Sequence, residues 1–200
     1  MEIISKNGKV LFENKSVERF RDLVEEAVQL GIDLTDADLS YQDLSFAGLA
    51  EAHLVGANLT GANLDNAILD KAKLNGACFR GASLKGAQLS EASLIWCDFT
   101  EAQLVRADLS NAHLQGATFQ CASLQKADLS RANLYGAHLS GANLMWANLC
   151  GVDLSGADLS ACDLYGAFMD MQAVLRTNFR SVNLQNTMLA NTLLQLSLPV

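Results

Sequence analysis

The sequence predicts an all-β solenoid, and three observations carry that prediction. Leu or Phe stands at every fifth position from Leu34 to Leu164. Two residues before nearly every one of these stands Ala, replaced by another small or medium side chain at Cys97, Val152 and Cys162. The residue between them is mostly polar, often Asp or Asn. A period of five suits neither common element. Five residues turn an α-helix by roughly 500°, so apolar side chains at that spacing never form one stripe. In a flat strand an odd step swaps faces at each repeat. The period suits a chain that bends the same way at every pentad, pointing the Leu/Phe and its Ala inward and the other three residues outward. Stacked coils then enclose a narrow, close-packed core, which is why the second inward position must be small.

Residues 1–31 lie outside the repeat. Ile3 and Ile4, then Asn7-Gly8, then Val10, Leu11 and Phe12 predict a short β-hairpin, with Asn-Gly suited to a type I′ turn. Ser16 is the expected N-cap of a helix running to about Leu30. Its apolar residues Val17, Phe20, Leu23, Val24, Ala27, Val28 and Leu30 recur at three and four. Gly31 suits the C′ position that ends it. The expected role of hairpin and helix is a cap over the first coil, hiding its sheet edge and apolar interior. A docking helix for a partner is the alternative.

The rod begins at Ile32 or Asp33, and its frame shows no inserted loop between Ala37 and Leu164. Pentads such as "GANLT", "GASLK" and the run "GVDLSGADLSACDL" at 151–164 resemble the pentapeptide-repeat family: a small residue, Asp or Asn, Leu or Phe, a polar residue, then often Gly. The resemblance implies a right-handed quadrilateral parallel β-helix with four pentads per coil. Residues 32–194 then form about eight coils, ~40 Å long at an inter-strand spacing of ~4.8 Å, followed by a tail at 195–200. The only proline is Pro199, in keeping with an uninterrupted backbone ladder.

The frame loosens after Met169, where Gln172 falls on an inward position, and resumes from Asn178-Phe179. There Met188, Leu193, Leu196 and Leu198 occupy outward positions, and no charged residue follows Arg180. A solenoid end needs a polar cap or a partner. The expectation is a homodimer in which a second copy covers the C-terminal coil, with a terminal segment folded back over its own end as the alternative.

Composition and spacing narrow the chemistry. A net charge of −8 opposes direct binding to nucleic acid or an anionic membrane. No apolar run approaches ~20 residues, so no membrane span is expected, and the first residues lack the pattern of a secretion signal. The expected compartment is therefore cytoplasmic. The five cysteines form no C-x-x-C pair: Cys97 and Cys162 replace inward Ala, while Cys78, Cys121 and Cys150 point outward. Glycines fall at corners and make no phosphate loop. With twenty residues per coil, Thr118, His138 and Asp158 share an outward column, and so do His53 and His113. The first column lacks the pocket and oxyanion site that catalysis needs, and the two histidines lie three coils apart, too far for one metal. No cofactor, no metal and no enzymatic activity are expected.

What remains is surface. Asp33, Asp36, Asp38 and Asp43 make one acidic band and Asp153, Asp158, Asp163 and Asp170 another, with Lys71, Lys73, Arg80 and Lys85 between them. Met145 and Tyr165 share a column one coil apart, and Trp146 lies beside them in the column of Arg106 and Lys126. Arg106, Met145, Trp146 and Tyr165 have the composition of a binding hot spot and are the candidate protein-binding patch. Ile95, Trp96 and Tyr135 form a smaller group on another face. The expected function is a non-enzymatic scaffold presenting a β-helical rod to a protein partner. The alternative is an acidic DNA mimic that binds DNA gyrase, a topoisomerase or another DNA-handling enzyme. The resemblance bears on this choice, since gyrase-protecting members of the family often carry projecting loops, and this frame has none.

Overall fold

The computed structural model describes residues 1–170. From Leu34 onward the chain winds in coils of twenty residues, each with four sides. Parallel bridges join residues twenty apart on every side, such as Asp38 to Asn58, Asp43 to Asn63, Gly48 to Ile68 and His53 to Lys73. Each bridge is one residue wide. Among the described residues the pairing widens to two residues only between Asn148–Leu149 (β3) and Phe168–Met169 (β4). Residues 33–170 make roughly seven coils, about 34 Å at ~4.8 Å per coil.

The pentad works because it satisfies all five of its backbone N–H groups. In the pentad 57–61, Ala57 N–H closes a turn onto Leu54 O at 3.1 Å, and Asn58 N–H reaches back one coil to Ala37 O at 2.8 Å. Leu59 N–H reaches forward to Cys78 O at 2.7 Å and Gly61 N–H to Arg80 O at 2.9 Å. The remaining donor, Thr60 N–H, lies at the corner and bonds the Asn58 side chain, at 3.2 Å. This is the reason for Asp or Asn before the Leu/Phe: its carboxylate or amide oxygen takes the corner N–H two residues on. Asp98 does so for Thr100, Asp108 for Ser110, Asp128 for Ser130 and Asn143 for Met145. Where Ser83 and Ser93 stand in that place their hydroxyls donate to the preceding coil, and that coil supplies the oxygen: Asp65 takes Lys85 N–H and Asn75 takes Ile95 N–H.

Every fifth residue from Asp36 to Gly166 has a positive φ. Glycine adopts that conformation without strain, and it recurs here. The other residues at these corners, including Trp96, Arg106 and Trp146, carry the left-handed geometry at some cost.

The Leu/Phe and Ala positions form one continuous buried core. Leu59, Phe79, Phe99 and Phe119 follow one another along the axis, all fully buried. The Phe79 and Phe99 rings stack at 4.7 Å and the Phe99 and Phe119 rings at 4.9 Å, within 8° and 5° of parallel. The ring spacing equals the coil spacing, so the stack fills the interior without a step.

The first coil meets the N-terminal elements. Strands Glu2–Ile4 (β1) and Val10–Glu13 (β2) form an antiparallel hairpin, and helix α1 spans Phe20–Gln29. The turn is not type I′. Gly8 N–H bonds Ser5 O at 2.8 Å and Ser5 N–H bonds Lys9 O, while only Gly8 has a positive φ; neither Lys6 nor Asn7 does. The hairpin thus uses a longer loop with one left-handed glycine. Nor does Ser16 cap the helix. Its N–H and hydroxyl bond the Asn14 side chain, α1 starts four residues later, and Arg19 at its N-cap makes no side-chain cap bond. Asn14 outcompetes the helix for Ser16 because a local turn orders fewer residues. The C-terminus follows expectation: Gly31, φ 68°, donates to Val28 O and Ile32 to Ala27 O.

Both elements contact the exposed edge of the first coil. Ser5 bridges Ala37 antiparallel, and Asp38 N–H bonds Ile4 O at 2.8 Å. On the neighbouring side the Glu25 carboxylate takes Gly48 N–H at 2.8 Å, and Arg21 donates to Ser45 O at 2.8 Å. Leu23, Val24 and Ala27 of α1 join the buried core.

Candidate functional site

Met145 and Trp146 form one corner of a coil, and Tyr165 and Gly166 form the same corner one coil on. Trp146 N–H bonds Tyr165 O at 2.9 Å, and the two rings meet edge to face at 5.5 Å and 79°. The Trp146 side chain lies over Gly166, yet the residue remains 46% exposed. Met145 and Tyr165 are half-buried. The structure therefore brings three of the four predicted residues together. Arg106 is exposed in the Trp146 column but two coils away, about 10 Å along the axis. Sequence reasoning missed Phe168, 46% exposed on the adjoining side, two residues beyond Gly166. It stands where most pentads carry a polar residue, and that departure was its signal.

The second aromatic group obeys the same rule. Trp96, 71% exposed, lies over Gly116, and Tyr41, 78% exposed, lies over Gly61. Tyr41 and the exposed Phe46 on the first coil were not singled out from sequence. An aromatic at a corner with Gly twenty residues later is the detectable signature. Ile95 and Tyr135 share one column two coils apart, in the corner that carries Trp96.

The residues that could do chemistry are occupied structurally. Thr118, His138 and Asp158 are joined by parallel bridges as the period requires. Asp158, however, accepts from Ser160 N–H at 2.9 Å, and that bond, with the Ser160 hydroxyl and the nearby His138, holds its carboxyl below the usual range. His53 Nε2 lies 2.9 Å from Lys73 Nζ. Among the described residues no group of three His, Cys, Asp or Glu side chains is placed to hold a metal. Burial pushes the Cys97 and Cys162 thiols up to about 12, and each donates to a core carbonyl, Leu74 O and Leu139 O. Exposed Cys150 is also raised, by desolvation and then by Asp170 and Asp128, the opposite of an activated nucleophile.

The acidic bands are likewise engaged. Asp33, Asp38 and Asp43 accept from Thr35, Ser40 and Ser45, and Asp36 pairs with Lys6 at 2.7 Å. Asp153 and Asp163 accept from Ser155 and Tyr165, and Asp170 accepts from Gly151 N–H at 2.6 Å. In the basic band Lys71 lies 3.9 Å from Glu91 and Arg80 lies 3.5 Å from Asp98. Met188, Leu193, Leu196 and Leu198, and the frame slip at Gln172, lie outside the described residues. No helix among the described residues is long and apolar enough to cross a membrane.

Comparison with known proteins bears on the coil. The model of the pentapeptide-repeat family matches in eight copies, over residues 32–69, 47–86, 87–125, 97–134 and 127–166. No curated protein matches the chain. Among solved structures, the chain is 28% identical to HetL, a pentapeptide repeat protein involved in heterocyst differentiation regulation from the cyanobacterium Nostoc. That match covers 84% of this chain and 94% of HetL, with a TM-score of 0.34. A second pentapeptide repeat protein from Nostoc is 36% identical over 50% of this chain and 83% of its own, with a TM-score of 0.45. QnrB1, a plasmid-mediated fluoroquinolone resistance protein, is 24% identical over 82% of this chain and 84% of its own, with a TM-score of 0.40. The twenty-residue ladder and the family match agree over the same residues: the chain belongs to the pentapeptide-repeat family, whose fold is the right-handed quadrilateral β-helix.

Proposed function

We propose that this protein is a non-enzymatic interaction scaffold, and that Arg106, Met145, Trp146 and Tyr165, extended by Phe168, are where a protein partner docks. One observation carries the reading: a Trp–Tyr pair is held edge to face on a rigid corner and left partly open to solvent. Aromatic side chains ordered before binding lose little entropy on association, which suits them to anchor an interface. Replacing Trp146 and Tyr165 with Ser leaves the inward column untouched, so the fold is retained. Capture of the partner from the native host by the wild-type protein, lost in the double variant at unchanged circular dichroism, supports the reading. Equal capture by both refutes it.

Three further expectations belong to this proposal. The first is the division of the chain into a cap at 1–31, a rod at 32–194 and a tail at 195–200, supported by the bonds from Ile4 O and Glu25 to the first coil. Another is a homodimer through the C-terminal coil, using Met188, Leu193, Leu196 and Leu198, in a cytoplasmic protein without cofactors. The third is the absence of enzymatic activity, supported by the raised thiols and engaged carboxylates. The second reading is an acidic DNA mimic acting on gyrase or another topoisomerase. The net charge of −8 favours it, but the carboxylates that would form the stripe are turned into corner bonds. Inhibition of gyrase supercoiling by the purified protein would favour that reading.

A further inference from the structure

The corner that ends in the aromatic patch has a distinctive charge pattern. Reading one coil at a time, it carries Lys85 and Gly86, Val105 and Arg106, Gln125 and Lys126, Met145 and Trp146, then Tyr165 and Gly166. One coil before Lys85 the same corner carries Asp65, which accepts Lys85 N–H at 3.0 Å, so Arg106 and Lys126 are the cations with no carboxylate in an adjoining rung, in a protein whose net charge is −8. Lys85, Arg106 and Lys126 are exposed and take no part in the ion pairs formed among the described residues. The carboxylates on the adjoining side form no ion pair with them. Asp108 and Asp128 are turned to the next corner, accepting from Ser110 N–H at 2.9 Å and Ser130 N–H at 2.8 Å. Like charges in successive rungs of a ladder repel, and Arg106 and Lys126 stand in that relation with no ion pair among the described residues to offset it.

Resting on the patch reading above, we infer that this corner binds an extended acidic segment of a protein whose aromatic or aliphatic residue lands on Trp146. The spacing sets the segment. Lys126 lies one coil and Arg106 two coils from Trp146, ~5 and ~10 Å along the axis, which two to three extended residues span. The matching sequence carries two or more Asp or Glu residues, followed within about three residues by an apolar anchor. The cations steer and orient the segment, and the Trp146–Tyr165 pair supplies the buried contact. Nucleic acid is the poorer occupant: three cations on a protein of this charge leave little counterion release to drive binding.

The test uses four labelled probes read by fluorescence anisotropy. These are a peptide of four acidic residues followed by Gly-Phe-Leu, the same peptide with Lys for the acids, the acidic run without Phe-Leu, and a short oligothymidylate. The acidic–apolar peptide is expected to bind best. Its affinity should fall roughly tenfold in the Arg106→Gln/Lys126→Gln variant, and comparably at high salt. Absence of binding by that peptide, equal binding by the Lys peptide or the oligothymidylate, or no loss in the double variant overturns the inference. The same variant in the capture experiment separates the two claims. Capture lost with Trp146→Ser but kept with Arg106→Gln/Lys126→Gln sinks the acidic segment and leaves the patch standing. Capture kept with Trp146→Ser sinks the patch.

Discussion

The Trp146 ring lies flat over the α-carbon of Gly166, so close that a Cβ added there would come within 2.5 Å of it. Gly166 also has φ 69°, which an L side chain adopts only with strain. Two separate costs therefore fall on Gly166→Ala. Gly156 has the same φ, but a Cβ added there would meet no side chain within 4 Å, the nearest atom being backbone N of Gly136 at 3.9 Å. Gly156→Ala should cost about 1 kcal/mol from backbone strain alone. Gly166→Ala should cost about 1 to 2 kcal/mol more and shift Trp146 fluorescence. The excess should vanish in Trp146→Ser. Urea titrations of the three variants and the double mutant check this, and an excess that survives removal of the indole would show that the ring is not its cause.

Phe99 is sandwiched between Phe79 and Phe119 and has no exposure. Phe99→Ala should cost about 3 to 5 kcal/mol, because a hole in a one-dimensional stack cannot be filled from the side. Phe99→Leu, the residue found in most pentads, should cost about 1 kcal/mol. Denaturant midpoints distinguish the two.

The corner carboxylates make stability depend on acid. Asp33, Asp38 and Asp43 are held below the usual carboxyl range, first by the hydroxyls of Thr35, Ser40 and Ser45 and also by their backbone N–H groups. Asp158 is lowered by Ser160. A lowered folded-state value means that the contribution is complete above the unfolded-state value, about 4. It is lost as pH falls through the lower folded-state values. Melting temperature should be level near neutrality and drop below about pH 4. Asp158→Asn keeps the acceptor and should flatten part of that drop, whereas Asp158→Ala should lower stability at every pH. A melting temperature that rose on acidification would contradict the assignment.

Glu25 reaches from α1 to Gly48 N–H at 2.8 Å, closing one side of the first coil. Glu25→Ala should leave that exposed donor to water, cost about 0.5 to 1.5 kcal/mol and speed hydrogen exchange at Gly48. Exchange at Asp38, whose N–H is held by Ile4 O, should stay slow.

Thiol labelling should sort the cysteines by burial. Cys121 and Cys150 are exposed, whereas Cys97 and Cys162 are buried with values pushed up to about 12. Native protein should alkylate at Cys121 first, with Cys150 slower because desolvation, and then the neighbouring Asp170 and Asp128, disfavour its thiolate. Cys97 and Cys162 should react only on unfolding. Mass spectrometry of partially labelled protein reads the order.

Much of this protein follows from its period. Leu34 through Leu164 point inward because every fifth residue meets the same bend, and a bend repeated that often leaves one packing solution. Even the interior order of Phe79, Phe99 and Phe119 was legible from a spacing of twenty. The local details that depended on competition between neighbours were not. Asn14 and not α1 holds Ser16, and the hairpin turns on Gly8 alone, because each choice lies among conformers of nearly equal energy. The outer surface depended on contacts between coils. Only the folded coil laid Trp146 on Gly166 and stacked Arg106 and Lys126 in successive rungs without an ion pair. Inward positions repeat one environment and can be read one pentad at a time. Outward side chains are settled by what lies twenty residues away, and tertiary stacking alone brings those residues into contact.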